Sequence, residues 1–253
     1  MGGMGVAQGR VALVTGSSRG LGRAIAHRLA RDGFAVAVNG LDEEETWLVA
    51  DAIRDDGLTA QAFIADVTDE GQAEGLVAAI GDRLGSVSVL VLNATGPQPT
   101  IPLAKVTWPD HLAQLEFFVK SPVLLGRAVL PAMEAARYGR IINVDSEVAD
   151  LPPPGSSHYS TAKSAQKGLA RAWARELAHL GITVNSVAPG FIPVERHADL
   201  PPQVLEDYLA TVPAGHMGTP DDIAHAVSFF ASEGAGFITG QRIVVDGGRS
   251  LGH

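Results

Sequence analysis

Three side chains carry the chemistry available to this sequence. Tyr159 and Lys163 stand four residues apart in Tyr-Ser-Thr-Ala-Lys, and Ser146 precedes the tyrosine by thirteen positions. Residues at i and i+4 share a helix face, so the Lys163 amine can lie beside the Tyr159 phenol. A free phenol ionises near pH ~10, and a neighbouring cation favours its phenolate. The pair therefore predicts a tyrosine able to give or take a proton near neutral pH. Ser146 would hydrogen-bond the reacting oxygen and hold it against Tyr159. Together the three read as a carbonyl/alcohol redox site. Alone, a Tyr-x-x-x-Lys also suits an amphipathic helix with a solvated lysine. Here the serine lies just past the apolar run Arg140-Ile141-Ile142-Asn143-Val144, so strand end, loop and helix start would bring the three groups together.

A second constellation lies near the start of the chain. The strand-like run 11–14 leads into Thr15-Gly16-Ser17-Ser18-Arg19-Gly20-Leu21-Gly22, after which a helix pattern begins. Glycines let a backbone turn sharply and approach a pyrophosphate, and a helix N-terminus offers free N–H donors with a partial positive charge. A glycine turn between strand and helix is common in itself. Its place on the first strand makes it a dinucleotide cradle.

The elements that must position these groups alternate along the chain. Segments 11–15, 34–39, 60–65, 87–93, 140–144, 183–187 and 242–245 are short, apolar and rich in Val and Ile. They lack polar/apolar alternation, as strands covered on both faces do. Helix-period stretches fall between them at 21–31, 43–54, 70–83, 108–137, 159–179 and 220–232. The stretch 108–137 reads as two helices, because Pro122 and Pro131 would interrupt one rod. The expected architecture is α/β: one doubly wound Rossmann-type domain over 10–253, with a seven-stranded parallel sheet and helices on both faces. Residues 1–9 read as a flexible glycine-rich lead-in. Residues 191–218, broken by Pro193, Pro201, Pro202 and Pro213, read as a substrate lid beyond a strand end.

Bulk properties narrow the partners. The chain has 253 residues, a formal charge of −9, and 46% hydrophobic against 19% charged residues. The negative balance argues against nucleic acid or an anionic membrane surface as main partner. The absence of cysteine excludes disulfides, thiol catalysis and thiolate metal sites. The eight histidines are scattered without ligand spacing, so no metal is expected. The opening Met-Gly-Gly-Met-Gly-Val-Ala-Gln-Gly has no basic segment followed by an apolar one, and the apolar runs are strand-sized. A cytoplasmic location is expected.

Thr-Gly-x-x-x-Gly-x-Gly, the Asn-x-x-Gly at Asn93, Ser146 before Tyr-x-x-x-Lys, Pro189-Gly190 and Asp246-Gly247-Gly248 resemble the short-chain dehydrogenase/reductase family. Members similar to 3-oxoacyl-carrier-protein reductases come nearest. The resemblance spans residues 10–248 and implies hydride transfer between a nicotinamide and a carbonyl or alcohol carbon of a small molecule. It also implies a homotetramer or homodimer built through two long central helices. Carried over by position, Gly16, Ser18, Arg19, Gly20, Leu21 and Gly22 would hold phosphate and ribose. Asp66 and Val67 would meet adenine, with Ala94 beside the cofactor and Asn93 steadying the central strand. Pro189, Gly190 and Ile192 would pass the carboxamide. Tyr159 and Lys163 would meet the nicotinamide ribose, Lys163 also lowering the phenol's pKa.

Gly40 stands at the end of the second strand, where an acid would grip the 2′-hydroxyl of NAD, and Arg19 could reach a 2′-phosphate. Both favour NADP(H) over NAD(H), although Leu41 and Asp42 speak the other way. Several positions depart from the family pattern. Phe118 falls where a proton-relay Asn is usual, and Val194 replaces a threonine. Asp145 and Glu147 flank the serine where residues are usually small and uncharged. Glu147 is expected to face the substrate and to favour polar or cationic groups. A cofactor-binding sensor without turnover is one rival, against which the intact Ser146, Tyr159 and Lys163 argue. A nucleotide-sugar epimerase or dehydratase is another. It would show a different glycine spacing and a larger substrate domain than 219–246 accommodates.

Overall fold

In the computed structural model, which describes residues 9–251, seven apolar segments pair into one sheet of order β3-β2-β1-β4-β5-β6-β7. The strands are β1 (Val11–Val14), β2 (Ala35–Gly40), β3 (Ala60–Ile64), β4 (Val87–Leu92), β5 (Gly139–Val144), β6 (Ile182–Pro189) and β7 (Arg242–Val245). Every neighbouring pair is parallel. Most of the expected lead-in, residues 1–8, lies outside the described residues.

Side chains alternate across the sheet, so each central strand feeds two cores. Ala12, Val14, Val36 and Val89 join the cluster under α1 (Gly20–Arg31) and α8 (Pro220–Ala231). Leu13, Ala37 and Leu90 join the opposite cluster, with Leu125, Met133 and Ala170. Those last three come from α5 (Ser121–Ala136) and α6 (Ser157–Leu177). The remaining helices are α2 (Glu43–Asp55), α3 (Glu70–Arg83), α4 (Trp108–Leu115) and α7 (Pro202–Leu209).

The strand order reverses direction between β1 and β4, and open α/β sheets bind ligands at that point, beyond the strands' carboxyl ends. The β1, β4 and β5 ends carry Thr15–Gly22, Asn93 and Ser146 there.

Two local features differ from expectation. The stretch 108–137 does break in two, but not at a proline. A π-helical turn, Glu116–Lys120, joins α4 to α5. Pro122 sits in the first turn of α5, where a missing N–H costs little, and Pro131 is accommodated inside that helix. The segment 191–218 is also more regular than its prolines suggest. Pro201 and Pro202 stand at the start of α7, where a fixed φ suits helix entry.

Candidate active site

Ser146 follows β5 by two residues and begins a short 3₁₀ turn, Glu147–Ala149, its Oγ accepting from the Val148 N–H at 3.2 Å. Tyr159 lies in the first turn of α6, with Lys163 one turn further on. The Ser146 side chain lies near the Tyr159 phenol and opposes the upward pKa shift that burial gives it. The structure thus brings Ser146, Tyr159 and Lys163 to one place.

The electrostatics differ from the sequence expectation. Burial dominates at Tyr159 and raises its pKa above the usual phenol value, with no lowering contribution from Lys163. Lys163 Nζ lies 6.0 Å from the Tyr159 ring centre and donates to the Val144 carbonyl (2.7 Å) and to Gln166 Oε1 (3.1 Å). The lysine is only 3% exposed. Burial brings its pKa down to about 7, opposed by the Asp145 carboxylate and assisted by Arg196 and Arg242. Phe118, on the π-helical turn, touches both: its ring lies 3.9 Å from Lys163 Nζ and meets Tyr159 edge-on, centres 5.5 Å apart.

At the glycine turn, Gly16 and Gly20 have φ of +61° and +55°, a left-handed conformation that side chains other than glycine's rarely adopt. A Cβ on Gly22 would strike the Gly16 carbonyl and the Asn93 side chain. Asn93 Nδ2 donates to the carbonyls of Thr15 and Gly16, both at 2.9 Å, so its role is to brace the turn. Thr15 Oγ1 accepts from the N–H groups of Asn93 and Ala94, tying β4 to β1. Arg19 precedes α1 without capping it and is exposed, and Ser18 Oγ donates to Glu45 Oε2 at 3.4 Å. No side chain fits at Gly40, whose Cβ would overlap Thr46 Oγ1. Asp66 Oδ1 accepts from the N–H and hydroxyl of Thr68, beside buried Val67. Pro189 ends β6, and Gly190 and Ile192 continue past it; a Cβ on Gly190 would meet the Tyr208 hydroxyl. A turn that requires glycine at Gly16, Gly20 and Gly22, opening a helix and braced by Asn93, suits a dinucleotide pyrophosphate.

Glu147 does not face an open substrate site. It is 6% exposed, accepts from the Tyr208 hydroxyl at 2.9 Å and pairs with Arg249 at 2.9 Å. Asp145 is likewise buried and pairs with Arg242 at 2.5 Å. Sequence reasoning misses Gln166, Tyr208, Arg242, Arg249 and also Glu195, whose Oε2 accepts from the Gly20 N–H at 3.1 Å. Asp145 and Glu147 were the available signal, because buried carboxylates require counter-charges. Among the described residues, no group of three or more His, Asp or Glu side chains is placed to hold a metal ion. No described helix is long and apolar enough to cross a membrane.

The chain belongs to the short-chain dehydrogenase/reductase family, whose members are oxidoreductases acting on CH–OH/C=O groups. The family model described as enoyl-(acyl carrier protein) reductase matches residues 16–250. The chain is 38% identical to the (2S)-[(R)-hydroxy(phenyl)methyl]succinyl-CoA dehydrogenase subunit BbsD of Thauera aromatica, covering 98% of this chain and 99% of that one. It is 39% identical to a 3-oxoacyl-[acyl-carrier-protein] reductase of Vibrio cholerae, over 95% and 97% of the two chains. Among solved structures, a gluconate 5-dehydrogenase from Burkholderia cenocepacia in complex with NADP and tartrate matches with a TM-score of 0.91. It is 31% identical, with 97% of each chain covered.

Proposed function

We propose that this protein is an NADP(H)-dependent oxidoreductase of a secondary alcohol/ketone pair, with Ser146, Tyr159 and Lys163 as its catalytic residues. The observation that carries the reading is the convergence of Ser146, just past β5, with Tyr159 and buried Lys163 one turn apart on α6. When bound, the nicotinamide supplies or accepts the hydride at the carbonyl carbon. Ser146 orients the carbonyl oxygen by a hydrogen bond. Tyr159, its proton held by the raised pKa, donates that proton to the oxygen in reduction and recovers it in oxidation. Lys163 gives the nicotinamide ribose a hydrogen-bond partner. Phe118 and the Val144 carbonyl exclude water around the amine.

Gly16, Ser18, Arg19, Gly20, Leu21 and Gly22 would hold the phosphates and adenosine ribose. Asp66, Val67 and Ala94 would line the adenine side, and Pro189, Gly190 and Ile192 the carboxamide side. NADP(H) is supported by exposed Arg19, by the bare Gly40 and by the NADP-bound relative. Glu45 beside Ser18 is the opposing charge. Residues 191–218 act as the lid, and the active unit is a homodimer or homotetramer in the cytoplasm.

The test is a panel of ketones and secondary alcohols assayed with both cofactors. Turnover with higher kcat/KM for NADP(H) than for NAD(H) is expected. Cofactor binding without turnover on any substrate would favour a sensor, and a strong NAD(H) preference would overturn the cofactor assignment.

A further inference from the structure

We propose that Arg242 is a positioning residue for Ser146, fixing the loop from which the serine hydroxyl projects, and that turnover depends on this clamp. The proposal rests on the reading of Ser146 as the residue that orients the reacting oxygen.

Arg242 opens β7, level with Ser186 of β6, which is in turn level with Asn143 of β5. Three residues past Asn143 the chain reaches Ser146, so the long arginine side chain spans two strands to that loop. There one guanidinium serves three acceptors. Nε donates to Asp145 Oδ2 at 2.5 Å, Nη2 to the Ser146 carbonyl at 2.8 Å, and Nη1 pairs with Asp150 Oδ2 at 2.6 Å. The other Asp150 oxygen pairs with Lys167 of α6 at 2.5 Å. The acceptors therefore belong to the residue before the serine, the serine itself and the residue four beyond.

A guanidinium is planar and presents its donors in a fixed fork, so these three groups are held in one relation to each other. The Asp145 side chain is 1% exposed and that of Arg242 17%, so water offers little substitute for that bond, while Asp150, 42% exposed, is open to water. A buried ion pair is weak evidence for stability, because desolvation offsets most of its attraction. Its distinctive product here is geometry. The Ser146 hydroxyl direction depends on the backbone of 146–148, since Oγ accepts from the Val148 N–H. Pinning the Ser146 carbonyl fixes the peptide plane on which that direction rests. Small displacements of a positioning group cost large factors in rate.

The test is a double-variant cycle of Arg242→Lys and Ser146→Ala, reading kcat, ketone KM and the NADPH dissociation constant. Lysine keeps a cation beside Asp145, but a single ammonium cannot span the three acceptors. Arg242→Lys is expected to lower kcat about ten-fold while leaving the NADPH dissociation constant within about two-fold. In the Ser146→Ala background, it is expected to add less than about a two-fold loss, because the residue acts through the serine. A full ten-fold loss in that background, or wild-type kcat in Arg242→Lys alone, overturns the proposal. Wild-type turnover in Ser146→Ala alone would overturn the reading of the serine and the clamp with it. Should Arg242→Lys fold poorly, Arg242→Gln with Asp145→Asn serves the same cycle, with the pH profile of kcat read alongside to separate the loss of those two charges near Lys163 from the loss of the clamp.

Discussion

At the scale of single residues, the site is governed by burial more than by the attraction between Tyr159 and Lys163. The lysine is enclosed by Phe118, the Val144 carbonyl and Gln166, and its pKa falls to about 7. An unfolded lysine ionises near pH 10.5. Between these values the unfolded chain binds more protons than the folded one, so this group makes stability rise with pH. Its burial penalty is full below pH 7 and fades as pH climbs towards 10.5. Replacing Lys163 by Met removes that dependence. Denaturant titrations should show the variant gaining most, relative to wild type, at pH 6, and less at pH 9. An advantage unchanged between pH 6 and pH 9 would show that the folded amine keeps its charge across that range. Phe118 works against part of that burial penalty: a ring 3.9 Å from the amine favours its cation while carrying no proton.

At the scale of elements, the segment 191–218 and the serine loop share one polar knot. The Tyr208 hydroxyl on α7 donates to Glu147 Oε1 at 2.9 Å and accepts from the Phe191 N–H at 2.7 Å. Burial, with the Glu147 charge assisting, pushes that phenol up to about 12, so it stays a donor across working pH. Tyr208→Phe leaves the Phe191 N–H and one Glu147 oxygen without this partner. A hydrogen bond to a charged group contributes about 1.5–3 kcal/mol. We expect substrate KM to rise roughly ten-fold, kcat to change less than about two-fold, and protease cleavage within 191–218 to accelerate. Unchanged KM and cleavage would show that the segment 191–218 is held by other contacts. Such knots are invisible in a sequence. Arg242 and Arg249 lie about a hundred residues beyond the carboxylates they pair with, and only the β5–β6–β7 register brings them near.

At the scale of the whole molecule, period and punctuation carry most of the fold. Seven Val- and Ile-rich runs mark all seven strands to within a residue or two, because strands covered on both faces need continuous apolar sequence. The convergence of Ser146, Tyr159 and Lys163 is legible because their spacing follows from strand end, loop and helix start. The π-helical turn at 116–120 is not, since nothing in Glu-Phe-Phe-Val-Lys distinguishes it from α-helix. Glu147 misled for a related reason: a charge in a loop implies exposure unless its distant partner is known.

The central claim is that one buried tyrosine moves the proton in a carbonyl/alcohol exchange. It is tested most directly by Tyr159→Phe, measured for NADPH binding and for turnover on the best substrate of the wild-type protein. Phenylalanine keeps the ring against Phe118 and removes only the hydroxyl. The account predicts cofactor affinity near wild type and a loss of turnover of at least ~10². Turnover within a few-fold of wild type would contradict it.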